Sequence, residues 1–263
     1  MLQEILRARP LLWLLVKQEF RSRYAGSNFG ALWNIIHPIV LIGIYVLIFS
    51  HVMGSRMGDQ GGRLAYVIHM CSGIVPWFLF SEIISRCSTV LLENSALLKK
   101  MALPEEVLYL SVFITSFTVH GISMGALIVL LMLAGAPLHW FVLFVYPVMF
   151  ALGISALGLG MILSVMTLLV RDVGQVVQIA LQLLFWSLPI VYVPSIIGSQ
   201  KIGDLLSLNP IRGFFTLIQW LFGSPEASFQ PDAYWMIALL PFAMMLMGLG
   251  FLRKNRAEIL DAL

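Results

Sequence analysis

From Trp140 to Val170 the chain carries no charged side chain, and shorter runs of the same kind recur along its length. A helix needs about 20 apolar residues to cross ~30 Å of hydrocarbon. Six stretches meet that length: Ala31–Met53, Tyr66–Val90, Leu108–Ala134, Trp140–Val170, Val173–Val193 and Tyr234–Leu252. Only 11% of the 263 residues are charged and 60% are hydrophobic, where a soluble domain would have about 25% charged. The sequence therefore predicts an all-α membrane protein of six spans, forming one domain over residues 1–263. Arg171 and Asp172 alone divide spans four and five. Their charge favours a turn at the membrane face, with a single bent helix as the other option.

Lys and Arg set the orientation. Arg7, Arg9, Lys17, Arg21, Arg23, Lys99, Lys100, Arg171, Arg253, Lys254 and Arg256 fall on one side of the predicted spans. Arg56, Arg63, Lys201 and Arg212 fall on the other. The richer side is expected to be cytoplasmic. Both termini then lie inside, as an even number of spans requires. The first apolar run, Leu11–Val16, is too short for a cleavable signal peptide and is followed by Lys17 and Glu19. The first span is expected to act as its own targeting signal.

Three segments lie outside the spans. Residues 1–30 mix Leu11, Leu12, Trp13 and Leu15 with Lys17, Arg21 and Arg23. This fits an amphipathic helix in the headgroup layer with snorkelling arginines, or a helix docked on the bundle. Residues 91–107 form a polar cytoplasmic loop containing Lys99, Lys100, Pro104, Glu105 and Glu106. Such a loop, in a chain without catalytic apparatus, reads as a docking surface or as an ordinary solvated turn. Residues 194–232 are broken by Pro194, Pro210, Pro225 and Pro231, and hold the apolar stretch Ile211–Phe222, too short to span. They read as short re-entrant helices forming an outer gate, or as a loop on the membrane; non-helical backbone at that depth needs protein or water to satisfy it.

The chain lacks a G-x-x-x-x-G-K loop and a dinucleotide fingerprint, so ATP chemistry would require another chain. His37, His51, His69, His120 and His139 show no metal spacing and are expected mostly near span ends. Cys71 and Cys87 are ~24 Å apart on one helix, beyond the reach of a disulfide, and read as small core residues. The net charge of +3 does not imply nucleic acid. Glu82 and Arg86, at i and i+4, share one helix face. Ionisable groups inside a bilayer are costly unless paired or watered, so they are either a self-neutralising structural pair or the lining of a substrate path. Gly121, Gly125, Gly153, Gly158 and Gly160 permit close helix approach. Trp77, Phe78, Phe80, Phe185, Trp186 and Tyr192 are expected in the outer thirds of the spans, as an aromatic belt or as rings that stack on sugar faces.

Four stretches carry a resemblance: Arg21–Val40 (RSRYAGSNFGALWNIIHPIV), Leu97–Leu110 (LLKKMALPEEVLYL), Val170–Gln178 (VRDVGQVVQ), and Leu188–Phe214 with LPIVYVPSII followed by LNPIRGF. Together they resemble the permeases of ABC exporters that move bacterial surface polysaccharides: O antigen, capsule or teichoic acid. The resemblance implies a permease homodimer with two copies of a cytoplasmic ATPase, in the bacterial inner membrane. No cofactor is expected in this chain; ATP and Mg would sit on the ATPase. The substrate would be a glycan on undecaprenyl diphosphate. Leu97, Lys99, Lys100, Leu103, Pro104, Glu105 and Glu106 would form the helix coupled to the ATPase. Arg21 and Arg23 would attract the lipid diphosphate, although anchoring to anionic lipid explains them equally well. Glu82, Arg86, Trp77, Phe78, Trp186 and Tyr192 are candidates for the path lining. Pro194, Asn209, Pro210, Phe214 and Phe215 are candidates for the outer gate. The C-terminal Phe251–Leu263 would touch the ATPase or serve as a charged stop. A lipid or drug exporter of related fold is a second reading. A channel or secondary transporter is a third, disfavoured because no inverted repeat is evident and buried acids for ion coupling are few.

Overall fold

A computed structural model describes residues 8–23, 33, 36, 40, 43–44, 62–100, 104–192, 206, 209–224, 227 and 231–262. Among these residues the regular structure is helical, with no strand. The helices are α1 (Arg9–Arg23), α2 (Gly62–Glu93), α3 (Ser95–Lys100), α4 (Glu106–Leu133), α5 (Val145–Leu169), α6 (Val173–Ser187), α7 (Arg212–Leu221), α8 (Pro231–Lys254) and α9 (Arg256–Ala262). A 3₁₀ turn at Trp140–Phe144 leads into α5. Among the described residues, four stretches are long and apolar enough to cross a membrane: Leu64–Glu93, Glu106–Leu133, Trp140–Leu169 and Ile237–Lys254. Most of the expected first span lies outside the described residues. The expected fifth, Val173–Val193, is a helix only to Ser187, or ~22 Å at 1.5 Å per residue.

α5 is the hub, packed most extensively against α8 and α2. Small residues set these approaches, as association within a membrane requires. A Cβ on Gly158 would lie 2.3 Å from the carbonyl oxygen of Met244, and one on Gly248 2.5 Å from that of Gly158. The backbones of α5 and α8 therefore touch where they cross. On the α2 side, a Cβ on Gly160 would meet Cys87 Cβ at 2.5 Å. Both cysteines are free and buried, as expected of small core residues.

The ends of two helices explain the turns. Gly135, after α4, has φ +79°, and Ala136 N–H donates back to Leu131 O at 3.0 Å. Gly223, after α7, has φ +74°, and Ser224 N–H donates to Gln219 O at 3.0 Å. A left-handed glycine lets the chain reverse while satisfying carbonyls that the helix leaves open. Between α5 and α6 the helix breaks at Val170, which is extended, and resumes at Val173. Arg171 and Asp172 are exposed there, so the two-helix reading holds and the bent-helix option is excluded.

α1 packs along α4, and Val16 is buried. Within residues 1–30, the described helix Arg9–Arg23 is docked on the bundle. Trp13 and Leu14 stay exposed.

Candidate functional site: a groove between three helices

A cavity of about 580 Å³ opens between α2, α4 and α6. One part of its wall is aromatic: Trp77 and Phe78 from α2, Phe185 and Trp186 from α6. The other part is polar: Ser81, Glu82 and Ser85 from α2, His120 from α4, Gln178 and Gln182 from α6. Helical spacing explains this division. Trp77, Ser81 and Ser85 follow one another at four-residue steps, as do Phe78 and Glu82, while Gln178 and Gln182 stack on one stripe of α6. Trp77 and Phe78 lie halfway along α2 rather than in the outer third expected from the sequence. The two tryptophans differ in role. Trp77 is 6% exposed and touches Phe185 (5.4 Å between ring centroids) and Phe215 (6.5 Å), so it locks α2 to α6 and α7. Trp186 is 55% exposed and presents its ring.

Behind the polar wall lies an ionic cluster. Glu82 Oε1 accepts from Ser116 Oγ at 2.8 Å and from Arg86 Nη1 at 3.4 Å. Glu82 Oε2 meets His120 Nε2 at 2.9 Å. An ionised carboxylate can only accept, so Nε2 carries the proton. Nδ1 of His120 is buried and finds no partner among the described residues. Arg86 also pairs with Glu19 on α1. The sequence isolates Glu82 and Arg86 as a local pair; the structure extends that pair across α1, α2 and α4. His120 is 7% exposed and lies midway along α4, away from the span end expected of it, whereas His69, 1% exposed, lies near the start of α2. No cluster fit to hold a metal occurs among the described residues.

A second buried polar knot holds the far end of the bundle. Gln219 Nε2 donates to Pro189 O at 2.6 Å, Tyr66 Oη to Val191 O at 2.7 Å, and His69 Nδ1 lies 3.0 Å from Ser224 Oγ. These side chains satisfy carbonyls that the bend after α6 leaves without helical partners, at positions where an unpaired group would be costly.

Residues 10–223 match the ABC-2 type transporter family. The chain belongs to that family. Full-length similarity extends to the O-antigen export system permease protein RfbA of Myxococcus xanthus, with 29% identity over 249 residues, 94% of this chain and 92% of the relative. A Klebsiella pneumoniae RfbA is 25% identical over 257 residues, 95% of each chain. The polysialic acid transport protein KpsM of Escherichia coli is 27% identical over 111 residues, 38% of this chain and 42% of the relative.

In this ABC-2 transporter the groove gathers Trp77, Phe78, Glu82 and Trp186 from the predicted path lining. Arg86 sits behind Glu82, and Tyr192 points away, donating to Ser187 O at 3.0 Å. Of the predicted coupling residues, Leu97 is half-buried and Lys99 exposed on α3, while Leu98 packs inward. Lys100 closes α3, and Leu103 lies outside the described residues. Pro104, Glu105 and Glu106 are half-buried, and Arg256 of α9 pairs with Glu105 at 3.5 Å. Arg21 is exposed on α1, and Arg23 ends that helix. Of the predicted outer-gate residues, Phe214 and Phe215 are fully buried, Asn209 Nδ2 donates to Ser187 Oγ at 3.3 Å, Pro210 is exposed, and Pro194 lies outside the described residues. Sequence reasoning missed Glu19, Ser116, His120, Gln178 and Gln182.

Proposed function

We propose that this chain is the membrane-spanning permease of an ATP-driven exporter of lipid-linked surface polysaccharide, O antigen in the first instance. The carrying observation is the groove of Trp186, Gln178, Gln182, Ser81 and Ser85 in a transporter whose full-length relatives are O-antigen permeases. Flat rings take the apolar face of a sugar, and amides and hydroxyls take its hydroxyl groups. The chain is a transport subunit, and ATP with Mg binds a separate ATPase. Two permeases pair with two ATPases in the inner membrane. Six spans, counting Ala31–Met53 and Val173–Val193 with the four described, put both termini in the cytoplasm, as the Lys and Arg distribution supports.

The chemistry divides along the chain. α3 and the following Pro104–Glu106 turn dock on the ATPase. Arg21 and Arg23 attract the diphosphate of an undecaprenyl carrier, because a guanidinium fork matches phosphate oxygens. ATP-driven closure moves α3 and the helices joined to it, and the glycan passes beside α6. The outer segment 194–232 closes the far side.

The test is co-purification with a candidate ATPase, followed by ATP hydrolysis in lipid nanodiscs with and without glycan-lipid. A stable complex, weakened when Lys99, Lys100, Glu105 and Glu106 are changed to Ala and stimulated by glycan-lipid, is the expected result. A chain that binds no ATPase and passes solute without ATP would overturn the reading.

A further inference from the structure

The groove has a chemical bias that the export reading does not itself require. Among the described residues that line it, none is Lys or Arg, and the charged side chains are Glu82 and, when protonated, His120. Arg86, which does not line the groove, is committed to Glu19 and Glu82. A carboxylated sugar entering this space would give up water around its charge without gaining a cation, which is costly in a low-dielectric site. It would also face the Glu82 carboxylate, whose partner Arg86 is shared with the Glu19 carboxylate, and like charges brought together at an interface oppose binding. An uncharged sugar meets no such obstacle. Gln178 donates to Ser85 Oγ at 2.7 Å, which leaves its amide oxygen to accept from a sugar hydroxyl. Gln182 is exposed and offers both a donor and an acceptor. Trp186 offers a face.

We infer that this groove is selective for uncharged glycan, whose hydroxyl and acetamido groups its amides match, and that it discriminates against acidic sugars, with Glu82 as the specificity-determining residue. This rests on the reading of the groove as part of the export path and names the class of substrate that path takes.

The experiment is equilibrium binding of two hexasaccharides to the full-length chain in nanodiscs, one of N-acetylglucosamine and one of sialic acid. The neutral probe is expected to bind at least about tenfold more tightly, well short of the full cost of a like-charge contact at ~4 Å and an effective dielectric near 20. Glu82→Gln should narrow the gap by raising affinity for the acidic probe. Because Glu82 is built into the ionic cluster and its loss could unsettle the fold, Gln182→Lys supplies a second arm. It adds a cation at an exposed position and should move the preference towards the acidic probe. Equal binding of both probes, or tighter binding of the acidic one, by the unaltered chain would overturn the selectivity while leaving the export path standing. Failure of both probes to bind, with glycan-lipid still stimulating the ATPase, would remove the groove from the path and the selectivity with it.

Discussion

α5 and α6 both contact α2, yet they are built on opposite principles. α5 buries Val145, Met149, Leu152, Ala156, Leu157 and Val165 completely and meets α8 backbone to backbone at Gly158. α6 buries only Val177 and Leu181. It exposes Val176, Ile179, Leu183 and Trp186, and also the amides Gln175, Gln178 and Gln182. Exposed apolar groups are at home in lipid; a stripe of exposed amides is not. The α5 side is a fixed scaffold and the α6 side a thinly held wall, and the groove lies between α2 and that wall. A path for a bulky substrate belongs beside the element that has least to lose by moving.

The largest effect should come from forcing the scaffold apart. Gly158→Val places new atoms where a Cβ alone would be 2.3 Å from Met244 O. Backbone cannot yield as a flexible side chain does, so the loss should reach the upper end of the ~1–3 kcal/mol range of overpacking or pass it. The same enlargement at exposed Ala180 on α6, Ala180→Val, should change stability by less than about 0.5 kcal/mol. Thermal unfolding of both variants in detergent measures the contrast. Equal destabilisation would mean that α6 is as tightly held as α5.

Next come the two tryptophans of the groove. Trp77→Ala should cost ~3–5 kcal/mol, as for a buried aromatic, because Trp77 ties together Phe80, Phe185 and Phe215. Trp186→Ala should leave the unfolding temperature nearly unchanged while lowering glycan-lipid export, since its ring is half free. If Trp186→Ala unfolds the protein and spares export, Trp186 belongs to the scaffold.

The scaffold was legible in the sequence because spanning helices announce themselves locally, by length and by the absence of charge. The glycines of α5 were visible too, although Gly248, their counterpart on α8, had no local mark. The groove was only half legible. Glu82 and Arg86 are four residues apart, so periodicity alone pairs them. Glu19 and His120, 67 and 38 residues away from their partners, join the cluster only through helix packing that sequence spacing does not encode. A signal was nevertheless present in α6. Gln175, Gln178 and Gln182 follow the three- and four-residue steps of one helix face, and amides at that spacing inside an apolar run mark a surface that lipid does not cover.

The smallest effect probes the link between the two regions. Arg86 joins α1 to α2 through Glu19 and, through Glu82, Ser116 and His120, to α4 beside the groove. Side chains of Arg86, Glu19 and Glu82 each keep roughly a quarter of their surface exposed. Their coupling should therefore fall at ~1–3 kcal/mol, between that of a surface pair and that of a buried one. The measurement is a double-mutant cycle of Glu19→Gln and Arg86→Met, read by unfolding and by the ratio of export to ATP hydrolysis. If α1 transmits movement to the groove, Glu19→Gln should lower that ratio while the helix stays in place, its loss of stability limited to the coupling itself because Val16 still anchors it. Exchanging the two charges, Glu19→Arg with Arg86→Glu, should recover part of it. A coupling energy near zero with an unchanged ratio would leave α1 held by apolar packing alone. The wall beside the groove would then have to take its movement from α2 and α3 directly.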